Sequence, residues 1–205
     1  MIYHLILYNM FNPLFTSVPI VWYSVMDFEH PKEKLLSDPR LYKYGIRNLH
    51  FNTKIFLREI LYAFGSSLLI TSFSLESIAM DANLNGKIGG YADAGAFIFC
   101  VIVMVAQVKV LVSVYTISFG IISVIILSIC AYAGVQILVS HDPLLDQYGT
   151  GEVVASLPIM YFAMFFFVGT FGLLDAGLNN IRKFIKMRRM MTQEAEEFEK
   201  KQIES

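Results

Sequence analysis

Charge is the scarce ingredient of this 205-residue chain: Asp, Glu, Lys and Arg make up 16% of it, where a soluble domain carries about a quarter. Cysteine is nearly absent. Cys100 and Cys130 are the only two, and both lie inside apolar runs, so they read as packing residues rather than as a disulfide or a metal pair. A formal net charge of -1 leaves no basic field to hold a phosphate backbone, which excludes nucleic acid as a partner. A glycine-rich phosphate-binding loop is missing as well. What remains is 56% hydrophobic, with a mean hydropathy of +0.56, which is the composition of a membrane protein.

A bilayer-spanning helix needs about 20 mostly apolar residues. Five stretches meet or approach that length. Residues 1–26 contain no Asp, Glu, Lys or Arg. Residues 60–75 are clean and extend backwards through 55–59 at an interface. Residues 91–108 carry only Asp93, at their edge, and 117–139 are uncharged for 23 residues. The run 153–178 carries one acid, Asp175, near its end. A soluble helical core is the disfavoured alternative, because 117–139 has no polar face to turn to water. The expected fold is therefore an all-α polytopic bundle of about five transmembrane helices. It divides into a first span (1–27), a polar loop (28–54), four further spans with short connections (55–180) and a tail (181–205).

Basic residues orient the bundle. Lys32, Lys34, Arg40, Lys43 and Arg47 fill the loop, and Lys54 and Arg58 open the second span. Lys109 is expected in a short link after the third span. Arg182, Lys183, Lys186, Arg188, Arg189, Lys200 and Lys201 follow the fifth, which leaves Lys87 as the one basic residue elsewhere. The positive-inside rule then places the loop, the link and the tail in the cytoplasm, with residues 76–90 and 140–152 outside. Met1 falls outside and Ser205 inside. The start has no basic n-region and no small-residue cleavage site, so it does not read as a cleaved signal peptide. A span that begins so abruptly on the far side is expected to belong to a longer polytopic protein.

The stretch MDANLNGKIGGYADAG (80–95) imitates a calcium loop, with Asp81, Asn83, Asn85, Gly86 and Ile88 at positions 1, 3, 5, 6 and 8 of the EF-hand pattern. Position 12, which requires a bidentate Glu, is Ala92. Asp81 is the one anionic ligand, and the flanks are membrane spans rather than two soluble amphipathic helices. The stretch reads as a Gly/Asn-rich outer turn, and no metal site is expected.

Longer motifs carry more. FNPLFTSVP (11–19), DPRLYKYG (38–45) and FNTKIF (51–56) occur in order. Together they resemble the C-terminal membrane half of type IV P-type ATPases, the phospholipid flippases. The family pattern maps onto Phe11, Asn12, Phe15, Thr16, Pro19, Asp27, Pro39, Leu41, Tyr42, Phe51, Asn52 and Lys54. GKIGGYADAG resembles the outer hairpin before the family's eighth span, Lys109 the lysine that closes that span, and LLDAGLNNIRK the end of the tenth. Phe11 stands where the family usually has Tyr, Pro13 is added, and Ile20 replaces a common second Pro.

Asn9, Asn12 and Thr16 are spaced 3 and 4 apart and form one polar stripe on an apolar helix. Unpaired amides in hydrocarbon cost several kcal/mol, about 2–7 each, so this face should meet protein, water or a headgroup. Pro13 and Pro19 each remove a backbone donor and free carbonyls nearby. Broken helices with polar side chains at mid-membrane recur at transport sites, while interhelical hydrogen bonding explains the stripe from the residues alone. The resemblance assigns Asn12 to the path of the lipid headgroup, with Thr16 and Asn9 beside it. Lys109, Arg182 and Lys183 are candidates for contact with an anionic lipid headgroup, and they serve equally as topology-setting charges. Asp27, Glu29, Glu33 and Asp38, interleaved with Lys and Arg, read as a solvated surface. The Glu-, Lys- and Ala-rich tail favours a helical extension.

Phosphoryl transfer needs a phosphate-accepting site and metal-binding carboxylates, and the chain contains no Asp-Lys-Thr-Gly-Thr sequence. No catalytic residue is assigned, and no cofactor is expected within the chain. The resemblance implies that Mg-ATP is used by cytoplasmic domains elsewhere in the flippase. It also implies membrane lipid, the remainder of the pump and an accessory transmembrane glycoprotein as partners, in a plasma membrane or endomembrane. The rival readings are a structural subunit of a larger membrane complex and a small homo-oligomeric channel or carrier.

Overall fold

The computed structural model describes residues 3–28, 30–38, 52–80, 90–145 and 147–203. Side chains of 77–80, 182–183 and 185–203 lie outside that description. Helices account for all the regular structure among the described residues, and five are long and apolar enough to cross a membrane: Leu5–Met26, Thr53–Glu76, Tyr91–Ser113, Phe119–His141 and Pro158–Ile181. The protein is an integral, multi-pass helical bundle. In hydrocarbon every backbone polar group must be satisfied within its own segment, so each apolar run folds as a helix.

Local signals set the ends of these helices. Asn52, part of the FNTKIF motif, accepts the Ile55 N–H at 3.0 Å and so caps the second span. Asp93 accepts the Gly90 N–H at 2.7 Å at the start of the third. Ser118 caps the fourth through the Ile121 N–H. The third span continues past the expected 108 to Ser113. Lys109 therefore lies inside a helix and not in a link, because its charge is neutralised there (below). The fifth span also differs from expectation. A short helix, Thr150–Ser156, comes first, and the long helix begins at Pro158. Proline disfavours helical geometry at the preceding residue, and Leu157 accordingly adopts φ -87° and ψ 112°. The last helix runs to Ile203. Gly149, at φ 78°, turns the chain back so that the Gly149 N–H meets the Ser140 carbonyl at 2.9 Å. A short helix, Lys32–Ser37, follows the first span.

The third span is the hub. Some 44% of its apolar window is buried, against 6% for the second span. Phe97, Ile98 and Val101 pack with Ile70 of the second span and Ala163, Phe167 and Phe171 of the fifth. Phe99 and Val103, on another face, pack with Leu7, Phe15 and Tyr132 of the first and fourth spans. Lipid tails are as apolar as these side chains, so close fit rather than water exclusion holds the helices together. Ala94, Gly95 and Ala96 supply the small surfaces that allow it. Between the first and fourth spans Gly120 does the same: a Cβ there would stand 2.5 Å from the Trp22 ring.

Candidate functional site

The first span is not one α-helix. Leu5–Met10 and Ser17–Met26 are α-helical, and Phe11–Thr16 between them is a π-helix. Such wide turns are rare and concentrate at functional sites. The motif FNPLFT is itself the widened segment, and the Ser17 N–H reaches back five residues to the Asn12 carbonyl. Hydroxyls crowd the same carbonyls. Thr16 donates to the Phe11 carbonyl at 3.1 Å and to that of Asn12 at 3.4 Å, and Ser17 donates to the Asn12 carbonyl.

Pro19 has the larger consequence. Lacking an N–H, it cannot bond the Phe15 carbonyl four residues earlier. That carbonyl is buried with its side chain, which is 0% exposed. Two side chains from other spans replace the missing donor. Gln107 of the third span donates through Nε2, and Ser128 of the fourth donates through Oγ. Gln107 also donates to Ser128 at 2.9 Å. The break in the first helix is thus completed by a polar node linking three spans inside the membrane. Phe15 meets Tyr132 edge-on at 5.4 Å, and Phe11 meets Phe99 at 5.7 Å, which walls the node with rings.

The stripe of Asn9, Asn12 and Thr16 is distributed by this geometry. Asn9 and Asn12 are exposed on the surface of the chain, while Thr16 is half-buried with its hydroxyl turned to the backbone. The wide turn takes the three side chains off the single line that a regular helix would give them.

A second polar group gathers two residues further along the third span, on another face. Lys109 Nζ lies 3.4 Å from Glu59 and 4.4 Å from the centre of the Tyr62 ring, an ion pair joined to a cation–π contact. Glu59 also pairs with Arg58 at 3.0 Å. The Tyr62 hydroxyl faces Asp175 of the fifth span. Asn179 donates to the Val112 carbonyl at 3.3 Å, closing the same end. The side chains of Arg182 and Lys183 lie outside the described residues.

Asp27 corrects the solvated-surface reading of the loop acids. Its carboxylate accepts the Tyr115 N–H at 2.9 Å and the Thr116 N–H at 3.0 Å, so it ties the exit of the first span to the turn between the third and fourth. Gln107, Ser128 and the pairing role of Glu59 were not among the residues expected at a site. An uncharged Gln and Ser inside apolar runs were the available signal, since such groups in a span need partners. Among the described residues no group of three His, Cys, Asp or Glu could hold a metal ion. The calcium-like loop (81–89) and much of the DPRLYKYG motif (39–45) lie outside the described residues.

The architecture is that of a helical membrane domain with one broken span. Residues 1–188 match the family model described as phospholipid-translocating P-type ATPase C-terminal, and the chain belongs to that family. It is similar to the probable phospholipid-transporting ATPase DNF3 of Saccharomyces cerevisiae, 38% identical over 63 residues, which is 31% of this chain and 4% of that protein. Phospholipid-transporting ATPase 11C of Mus musculus is 31% identical over 109 residues, covering 49% of this chain and 9% of its own length. The chain thus spans a small fraction of these relatives.

Proposed function

We propose that the chain forms one wall of the lipid path in an ATP-driven phospholipid pump and supports the helices that move in it. The observation that carries this reading is the π-helical break in the first span, with Asn12 exposed beside it. A widened turn and an outward amide beside it suit transient contact with a polar headgroup passing through hydrocarbon. Asn9 lies one turn away on the exposed surface and takes the same role. Thr16 acts indirectly, because its hydroxyl holds the carbonyls that shape the turn. Lys109 serves as an internal counter-ion to Glu59, which leaves Arg182 and Lys183 to meet an anionic headgroup. The basic residues of 32–58 and of the tail set the first residue outside and the C-terminus in the cytoplasm. Hydrolysis of Mg-ATP belongs to the rest of the pump, and an accessory glycoprotein packs on the outer loops.

The test is Asn12→Ala in the whole pump containing this chain, reconstituted with defined lipids. Lipid-stimulated ATP hydrolysis should fall several-fold and the headgroup preference should change, while the protein retains its phosphoenzyme. Unchanged stimulation and unchanged preference would remove Asn12 from the path.

A further inference from the structure

A cavity of about 370 Å³ opens at the end of the bundle that carries the connection between the fourth and fifth spans. Its walls come from the third, fourth and fifth spans and from the short helix Thr150–Ser156. The size lies within the range of about 300–1,000 Å³ found for ligand pockets. Most of the lining is apolar, with Ala96, Tyr132 and Met164 on three different spans. Gln136, Ser140, His141 and Glu152 are its polar members. Gln136 projects from the fourth span, both Oε1 and Nε2 are enclosed, and neither has a hydrogen-bond partner among the described residues. A buried amide without partners is strongly unfavourable in hydrocarbon.

Its depth and surroundings narrow what would satisfy it. Gln136 precedes His141, the last residue of its helix, by five positions, so it sits about 7–8 Å inside that end at a rise of roughly 1.5 Å per residue. A 23-residue helix is about 35 Å long against roughly 30 Å of hydrocarbon, so the amide lies about 5 Å below the headgroup boundary. The lining contains no Lys or Arg, and Glu152 is among its residues. A phosphate would therefore meet an acid and no permanent cation. An ester carbonyl would accept from Nε2 but leave Oε1 bare. A hydroxyl accepts from one Nε2 hydrogen and donates to Oε1, and so gives each end of the amide a partner. The Tyr161 hydroxyl does not fill this role, since it donates to the Ala155 carbonyl at 2.9 Å.

We propose that this cavity is a binding site for a neutral, hydroxyl-bearing membrane lipid, its hydroxyl on the Gln136 amide once that side chain turns into the cavity, and its apolar body against Ala96, Cys100, Tyr132 and Met164. The site is separate from Asn12 and does not depend on the pumping role. Tyr132 forms part of its wall and also packs edge-on against Phe15, so occupancy would press on the polar node of the first span.

The test uses the full chain in phosphatidylcholine vesicles containing either a photoreactive sterol or a photoreactive diacylglycerol. Cross-linked peptides are mapped by mass spectrometry. One probe should label segments 132–141 or 160–164, excess unlabelled lipid of the same kind should abolish that labelling, and Gln136→Leu should reduce the competable fraction at least fivefold. Labelling by the sterol alone or by the diacylglycerol alone supports the proposal and identifies the source of the hydroxyl. Label that no excess of lipid displaces, label spread evenly over all five spans, or competable label untouched by Gln136→Leu overturns it. A loss of helical circular dichroism in the variant shifts the decision to competition on the unaltered chain, where failure to compete is equally fatal.

Discussion

Removing both donors to the Phe15 carbonyl should unfasten the first span. Ser128→Ala leaves Gln107 on that carbonyl, and Gln107→Leu leaves Ser128 there. Each single change should cost about 0.5–1 kcal/mol, the usual net value of one hydrogen bond and close to that measured between membrane helices. The double variant leaves a buried acceptor with no partner, which costs about 1–3 kcal/mol for the unsatisfied group alone. It should therefore be destabilised by more than the two singles together. Pro19→Ala supplies the reciprocal test. It restores an N–H four residues after Phe15, so in the double-variant background it should recover more than half of the loss as the helix straightens. The purified chain in mild detergent would be unfolded with increasing dodecyl sulfate, followed by circular dichroism and by fluorescence of Trp22, the one tryptophan in the sequence. A double variant within about 0.5 kcal/mol of the parent, or no recovery with Pro19→Ala, would refute the claim that these side chains replace the proline's missing donor.

Trp22 also reports on Gly120. Gly120→Ala places a methyl 2.5 Å from the Trp22 ring, and overpacking of this kind should cost about 1–3 kcal/mol. A shifted Trp22 emission would accompany the loss, and unchanged emission and stability would show that the ring moves freely. Asp27→Ala removes two bonds to the turn between the third and fourth spans. It should cost about 1 kcal/mol because the site is partly solvated and should speed proteolysis at 114–118, with Asp27→Asn losing less.

The membrane-spanning helices are legible in the sequence because that information is local. A span must satisfy its own backbone, so length and apolarity suffice to find it, and the five runs became five helices. The errors fell where a local rule met a partner from elsewhere. Lys109 was expected to end a helix, yet the span runs on to Ser113 because Glu59, 50 residues away, neutralises the charge. Asp27 looked like surface because its partners, the N–H groups of Tyr115 and Thr116, are 88 and 89 residues distant. The fifth span begins at Pro158 rather than at 153, a boundary that proline chemistry sets locally.

The candidate site divides along the same line. Pro13 and Pro19 mark where the first span lacks backbone donors, and Asn9, Asn12 and Thr16 put polar side chains beside them, because a missing donor and a side-chain type are properties of the residue itself. The identity of the groups that repair the break could not be read there. Gln107 and Ser128 lie 92 and 113 residues from Phe15, and no periodicity links them. Sequence determined the helices, several of their caps and the weak point in the first of them. Tertiary structure decided which helix became the hub, which carbonyl received which donor, and that Gln136 faces a cavity without one. Those outcomes depend on how helices of similar apolarity fit against one another, and that fit is a property of the whole assembly of side chains.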